Sequence, residues 1–569
     1  MNKHRFLANT RFRVNSLSIR VVTIILVSIV LISTVWFLWT APKEFPIDDT
    51  YIHFVYANNF VEWNELFFNY PDEAGIGTSS PLWVFLLAIG HKMGLSIHIL
   101  AKVLGIVSLI FVGVGLNELL RSNWKPVPAL ISTLFVVLSG HMLWFALSGM
   151  ETMIFLALGI LSLLLYRAEK WGWLGVVLGL LFITRIEGIL LAVAIFMVDL
   201  LYRRRIHNGL LILGLGTVFI GGIWIVYLYS RTGMMIPTSG GGKIFSLRLG
   251  SRMVVERIKY LAIFGKYPSL MYPFLWLIYL LEFVLGGMGL PPPHIPVGVL
   301  FGNPDFTYSI WAVLGLVGIV IPLIWAFSKR LGKPEKWTDW LNQDNRRPML
   351  IFMVWIVLHN LVYMIILPIP GTASRYGAIN HIAVWLVLVI GLFSIVKRTR
   401  FWIWFVVGLC SIAVLNTMYW KGVYAANLEH MKNVRIKAAD YIRESLGQDY
   451  LCAAFDIGAL RYFVDDPIID IGGLVDPSLI DLYIQGDLDK YLISHNVNCL
   501  AIPGRMGTTK DGWFDFINIL GLSTSPLFEI EQSALFEIDR ETWLKGYLPT
   551  GNYQATITIY ELTKSEPHD

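Results

Sequence analysis

Phe45-Pro46-Ile47-Asp48-Asp49-Thr50-Tyr51-Ile52-His53 follows closely on Val21–Thr40, an uncharged and largely apolar run. Twenty residues at about 1.5 Å each cover the ~30 Å of bilayer hydrocarbon. The run is therefore expected to span a membrane and to leave Asp48 and Asp49 at the water–lipid boundary. If a helix starts there, Asp49 and His53 lie one turn apart on one face. A carboxylate beside an imidazole can share or pass a proton. The competing reading of these residues is interfacial polar groups capping a helix.

The rest of the 569-residue chain is of the same kind: 56% of it is hydrophobic and only 15% charged, against roughly 25% charged in soluble domains. Long apolar segments recur at Ile99–Leu120, Leu210–Tyr229 and Trp402–Trp420, and in lipid they must be helices with internally satisfied backbones. Eleven to thirteen spans are expected, with Pro81–Met93 short or re-entrant. The first span lacks a small-residue cleavage site and is followed by many more, so it is expected to stay. The net charge of +5 argues against a nucleic-acid partner. Basic clusters at Lys3–Arg20, Arg121–Lys125, Arg167–Lys170, Arg203–Arg205, Lys329–Lys336 and Lys397–Arg400 act instead as cytoplasmic markers.

That orientation sends the remaining polar outliers to the opposite face. Glu151 sits in Ser148-Gly149-Met150-Glu151-Thr152, where capping of the next helix is the alternative role. Arg185 and Glu187 lie between two apolar runs, a costly place for ionisable groups unless they line a polar cavity or pair at a helix break. Lys243 ends Pro237-Thr238-Ser239-Gly240-Gly241-Gly242-Lys243, a glycine run whose amides could approach a phosphate or serve as a linker. Arg375 and Tyr376 follow the turn Pro368–Thr372; an arginine there can hold an anionic headgroup through paired hydrogen bonds or anchor at the interface. Acids in one loop and cations in three others suit a reaction on a lipid-linked anionic donor. From about residue 425 the chain turns polar and mixed, and residues 425–569 read as a soluble α/β domain, outside the cytoplasm by span parity. Cys452 and Cys499 lie in this part and are free to pair there.

The chain resembles the GT-C superfamily of polyprenyl-phosphate-sugar-dependent glycosyltransferases, most of all bacterial terminal arabinofuranosyltransferases. The resemblance rests on Ile47-Asp48-Asp49-Thr50-Tyr51-Ile52 with Tyr56-Ala57-Asn58-Asn59, on Gly77-Thr78-Ser79-Ser80-Pro81-Leu82-Trp83, on Ser148–Thr152 and on Thr184-Arg185-Ile186-Glu187-Gly188. Asp456-Ile457-Gly458-Ala459 and Gly472-Gly473-Leu474-Val475-Asp476-Pro477 add to it. It implies a GT-C membrane domain (residues 1–424, first external loop about 41–80) and an external active site. It also implies inversion at the anomeric carbon, with Asp48 or Asp49 as general base. Two departures stand out: Ile186 replaces a usual proline, and Pro237-Thr238 with its glycines replaces Pro-Asn-Thr-x-Tyr-Ala-Lys, which leaves the role of Lys243 open.

The resulting expectation is a polytopic α-helical enzyme of the bacterial plasma membrane with an extracytoplasmic C-terminal α/β domain. It would move a sugar, of the pentofuranose class, from a polyprenyl phosphate to an external glycan, glycolipid or protein. Asp48, Asp49 and His53 form the catalytic set, with Asp48 as the expected base; Glu151, Arg185, Glu187, Lys243, Arg375 and Tyr376 form the substrate set. No cofactor is required, a divalent cation at Asp48, Asp49 and His53 being the alternative. The rival functions are a transporter or flippase of lipid-linked sugars, which predicts mid-membrane polar residues and repeated halves, and a non-catalytic scaffold.

Overall fold

The computed structural model describes residues 19–39, 43–71, 73, 75–240, 273, 276, 280, 346–367, 371–396, 402–446, 450–504, 516–550 and 556–565. In chain order run α1 (Ile19–Leu38), α2 (Asp48–Trp63), α3 (Pro81–Lys92), α4 (Ile97–Arg121), α5 (Pro126–Leu138), α6 (Gly140–Leu147), α7 (Thr152–Arg167), α8 (Trp171–Thr184), α9 (Ile189–Arg203) and α10 (Asn208–Thr232). Beyond residue 345 come α11 (Arg347–Ile366), α12 (Ala378–Val396) and α13 (Trp402–His430). Among the described residues five helices are long and apolar enough to cross a membrane, and a sixth crossing results if α5 and α6, bent by 53°, count as one span. At 12 residues, α3 reaches only about 18 Å. It is too short to cross, in keeping with the re-entrant reading of Pro81–Met93.

The bend between α5 and α6 has an identifiable cause. The Gly140 N–H donates to Asn416 Oδ1 at 2.8 Å, and Thr417 Oγ1 donates to the Leu138 carbonyl at 2.8 Å. Both side chains come from α13, so a neighbouring helix satisfies the backbone groups freed by the break. Helix α13 does not stop at His430. Its helical path continues through π-type turns at Met431–Ile436 and Ile442–Leu446, so residue 425, taken from composition as the domain boundary, falls inside a continuous rod.

The C-terminal part carries a five-stranded sheet in the order β2-β1-β3-β5-β4, with β1 (Cys452–Ala454), β2 (Ile468–Asp470), β3 (Cys499–Pro503), β4 (Phe528–Glu537) and β5 (Thr556–Lys564). The first three strands of that order are parallel and β5 runs antiparallel to β3 and β4. Side chains alternate between two faces, as the pleat requires. Ala453, Leu500, Ile502 and Tyr560 pack beneath Leu479, Leu488 and Leu492. Cys452, Ala454, Ala501 and Ile559 join a second core with Tyr51, Phe54 and Val55 of α2 and Trp83 and Leu87 of α3. Cys452 and Cys499, opposite one another in register, are disulfide-bonded. The sheet thus shares one hydrophobic core with α2 and α3, and α2 is buried on most of its surface.

At the closest approach of the two parts, Gly458 opens a short helix (Gly458–Val464) directly against Asp48. A Cβ at Gly458 would stand 2.7 Å from Asp48 Oδ2 and would also press on the Asp48 carbonyl. Overpacking of this kind typically costs about 1–3 kcal/mol. Gly458→Ala is expected to lower the thermal midpoint of the detergent-solubilised protein and to expose the C-terminal part to limited proteolysis. Parent-like melting and proteolysis would show that the contact tolerates a methyl group.

Candidate active site

Asp48 and Asp49 open α2 at the positive end of the helix dipole, where carboxylates are favoured. Being consecutive, they point about 100° apart, and their surroundings differ sharply. Asp48 is 4% exposed. Its Oδ2 accepts the Gly458 N–H and its Oδ1 the Ala459 N–H, both at 2.8 Å. Arg435 Nη1 lies 3.9 Å away, while Arg435 Nη2 donates to Asp456 Oδ2 at 2.8 Å. Burial pushes the Asp48 carboxyl up to about 6, although Arg435 and the Ala459 amide pull the other way. Asp49 is half-buried, its side chain 34% exposed, and it is ion-paired with Arg375. Of the two, Asp48 faces inward and Asp49 faces the open side.

Three further loops converge here. Helix α2 docks on the turn 148–151 through Thr50 Oγ1, which donates to the Ser148 carbonyl at 2.7 Å, and α3 does so through Trp83 Nε1 to the Gly149 carbonyl at 2.9 Å. Gly149 has φ 77°, and a Cβ there would meet Thr50 and Phe45 within 2.6 Å. The docking brings Glu151 within 3.6 Å of His53 Nε2, while His53 Nδ1 is 3.2 Å from Thr78 Oγ1. Arg185, in extended conformation between α8 and the turn Ile186–Gly188, donates from Nη1 to Glu151 at 2.8 Å and from Nε to Glu187 at 2.6 Å. Tyr363 of α11 donates to Glu187 at 2.8 Å and accepts from Arg185 Nη2 at 3.3 Å. The turn Thr372–Gly377 completes the ring. The Tyr376 ring lies under the guanidiniums of both Arg185 and Arg375, at 4.5 and 5.2 Å, and stacks on Tyr363, itself stacked on Trp276.

Seven of the nine residues singled out from sequence therefore join one continuous polar network, Asp49, His53, Glu151, Arg185, Glu187, Arg375 and Tyr376, while Asp48, next in the chain to Asp49, turns to the Gly458 and Ala459 amides and Arg435. Lys243 lies outside the described residues. Arg375 is 4% exposed, and its Nε and Nη1 have no hydrogen-bond partner among the described residues. Guanidinium N–H groups of this kind can donate charge-assisted hydrogen bonds to an anion.

Asp48, Asp49 and His53 do not converge as a ligand set, since Asp48 is taken up by amides and His53 faces Thr78 and Glu151. Among the described residues no three of His, Cys, Asp and Glu group to hold a metal ion. Sequence reasoning missed Tyr363, Trp276, Arg435, His141 and His359. The last two were readable as polar residues inside apolar runs, the usual mark of a working position in a membrane protein.

Among solved structures, ArnT from Cupriavidus metallidurans in the apo state is similar at 12% identity, over 94% of this chain and 97% of that one, with a TM-score of 0.50. The archaeal oligosaccharyltransferase AglB from Archaeoglobus fulgidus, in complex with an inhibitory peptide and a dolichol-phosphate, is similar at 10% identity over 84% of this chain and 69% of that chain, with a TM-score of 0.45. The likeness to ArnT runs nearly end to end. The fold is GT-C. Residues 423–555 match the family described as Domain of unknown function (DUF8728), and no curated protein matches the sequence. The polar network lies where α2, the 148–151 turn, the Arg185 turn and the 372–377 turn meet.

The burial of Asp48 has a measurable consequence. Its carboxyl and that of Asp470, which accepts the amides of Gly472, Leu474 and Val475, are both raised by burial to about 6, above the ordinary value near 4. The fold therefore favours their protonated forms, and this contribution is complete below about pH 4 and lost as pH rises through about 6. Asp48→Asn, which cannot ionise, is expected to flatten the fall in thermal midpoint between pH 4 and 6.5. Parallel melting profiles for parent and variant would contradict this assignment.

Proposed function

We propose that the chain is a membrane glycosyltransferase that moves a sugar from a polyprenyl phosphate to a hydroxyl of an acceptor outside the cytoplasm. The observation that carries this reading is the pair Asp49–Arg375: a half-open carboxylate held against an arginine whose Nε and Nη1 are buried and open for an anion. The GT-C fold supports the enzyme class. AglB of Archaeoglobus fulgidus, described in complex with a dolichol-phosphate, is an example of a lipid-phosphate ligand on a similar chain. The resemblance at Ile47–Ile52 and Thr184–Gly188 favours a pentofuranose donor and a bacterial plasma membrane. The Cys452–Cys499 disulfide, of a type that persists in oxidising compartments, supports an extracytoplasmic site.

In the proposed reaction Asp49 accepts the proton of the acceptor hydroxyl. The oxygen attacks the anomeric carbon from the face opposite the phosphate, the carbon–oxygen bond to the phosphate breaks, and the lipid phosphate leaves with the electron pair. A single displacement inverts the anomeric centre. Arg375, backed by Arg185 across the Tyr376 ring, takes the charge that develops on the departing phosphate. Arg375 is also the counter-ion of Asp49 before the donor arrives. A phosphate that engages Arg375 loosens that pairing, and losing a nearby cation makes a carboxylate a better base. Base strength then rises only with the donor in place. Asp48 is assigned to positioning, because both of its oxygens already hold the C-terminal part.

Asn keeps the shape and removes the basicity. Asp49→Asn is expected to lower kcat on the order of 10²–10⁴-fold with KM little changed. Arg375→Ala is expected to reduce kcat/KM by roughly 10–150-fold, the equivalent of a charge-assisted hydrogen bond of about 1.5–3 kcal/mol. The measurement is single-turnover sugar transfer by purified protein from a synthetic polyprenyl-phosphate pentofuranose. Near-parental transfer by Asp49→Asn would remove the base assignment, and a larger loss of kcat in a folded Asp48→Asn would move it to Asp48.

A further inference from the structure

Arg375 belongs to an unusual turn. Gly371 has φ 67°, and Ala373 and Ser374 follow with φ 54° and 55°. The left-handed region is unfavourable for a side-chain-bearing residue, so two in succession persist only where the surroundings hold them. The holders are visible. His141 Nε2 donates to the Ala373 carbonyl at 2.7 Å, and His359 Nε2 donates to the Tyr376 carbonyl at 2.6 Å. A carbonyl can only accept, so each imidazole presents its protonated Nε2. Both rings are 1% exposed. His141 stacks on Trp420 at 4.1 Å with 9° between the planes. His359 packs on Tyr363 at 4.8 Å, part of the aromatic stack that ends on Tyr376.

A buried histidine bonded to one carbonyl is ordinary. Here two histidines, from α6 and α11, take carbonyls on either side of the same arginine, in a turn that includes two left-handed residues. We propose that His141 and His359 are positioning residues that fix the 371–377 turn so that Arg375 faces the donor phosphate. The route to His141 is itself structural: α13 stabilises the break before α6 through Asn416 and Thr417 and supplies the Trp420 platform. This inference rests on Arg375 as the phosphate-binding group.

The test is binding without turnover. Farnesyl phosphate, an unglycosylated lipid monophosphate, is titrated into the full-length detergent-purified protein and its variants, with thermal melting as the folding control. His141→Phe and His359→Phe keep a planar ring and lose the donor. Each is expected to weaken binding about 3–10-fold, the range of a neutral hydrogen bond, while His359→Gln, which keeps an N–H donor, stays within about twofold of the parent. In an Arg375→Ala background neither Phe change should weaken binding further, because the group they position is gone. Losses that multiply in that background would mean the histidines act by general packing, and parental binding by both Phe variants would overturn the proposal outright. Parental binding by Arg375→Ala alone is a separate result: it removes the phosphate role of Arg375, and the positioning role with it. If a Phe variant does not fold, it is combined with Ala373→Gly, which relieves the left-handed strain, and titrated in that form. Failure to recover a folded protein there would count against a role through the turn.

Discussion

The structure depends on how Asp48 is satisfied. A carboxylate buried to this degree is tolerated only when hydrogen-bonded, and its two amides come from Gly458 and Ala459, more than 400 residues along the chain. Those amides are in place only when the sheet packs on α2 and α3. The same contact sets the rotation of α2 and hence the direction of Asp49, Thr50 and His53. Gly75 and Gly77 repeat the arrangement on the other side: a Cβ on either would collide with the carbonyls of Val475 and Leu474, where Thr238 Oγ1 also donates. The C-terminal part is therefore packed directly against the loops that carry the candidate site.

A second constraint governs the ring of charges. Three carboxylates, Asp49, Glu151 and Glu187, face two guanidiniums, Arg185 and Arg375. Taking each ion out of water costs several kcal/mol, offset only by close, hydrogen-bonded partners of opposite sign. Arg185 meets this condition fully, with two carboxylates, Tyr363 and the Tyr376 ring around it. Arg375 meets it in part. That imbalance, between two arginines of similar burial, leaves Arg375 with buried N–H groups that have no hydrogen-bond partner among the described residues.

Much of this was legible in the sequence, because lipid penalises charge so strongly that each ionisable group in an apolar chain marks a constraint. Asp48–Asp49, Glu151, Arg185–Glu187 and Arg375–Tyr376 all stood out for that reason, and all but Asp48 lie in the network. The direction of each aspartate was not legible: adjacency to His53 suggested a supporting role for Asp49, whereas the contact with Gly458 turns Asp48 inward. No local pattern encodes a pairing so distant along the chain. His141 and His359 stood out as polar residues inside apolar runs but were passed over, and the turn they hold contains Ala373 and Ser374, residues that give no hint of positive φ. The pairing of Cys452 with Cys499 waited on the parallel register of β1 and β3. The composition change near residue 425 was real, yet the helical path runs straight through it from Trp402 to Leu446, because a change in side-chain character need not interrupt a backbone hydrogen-bond ladder.

The Asp48 clamp also bears on how the molecule is made. A chain synthesised from its N-terminus at about 5–20 residues per second exposes Asp48 long before Gly458 exists. A separation of 410 residues corresponds to roughly 20–80 seconds at that pace. Throughout that interval α2 lacks its cover, and the acidic pair has not been sorted into an inner and an outer member. The geometry around Asp48 is thus assembled only when the part that carries Gly458 folds back onto α2.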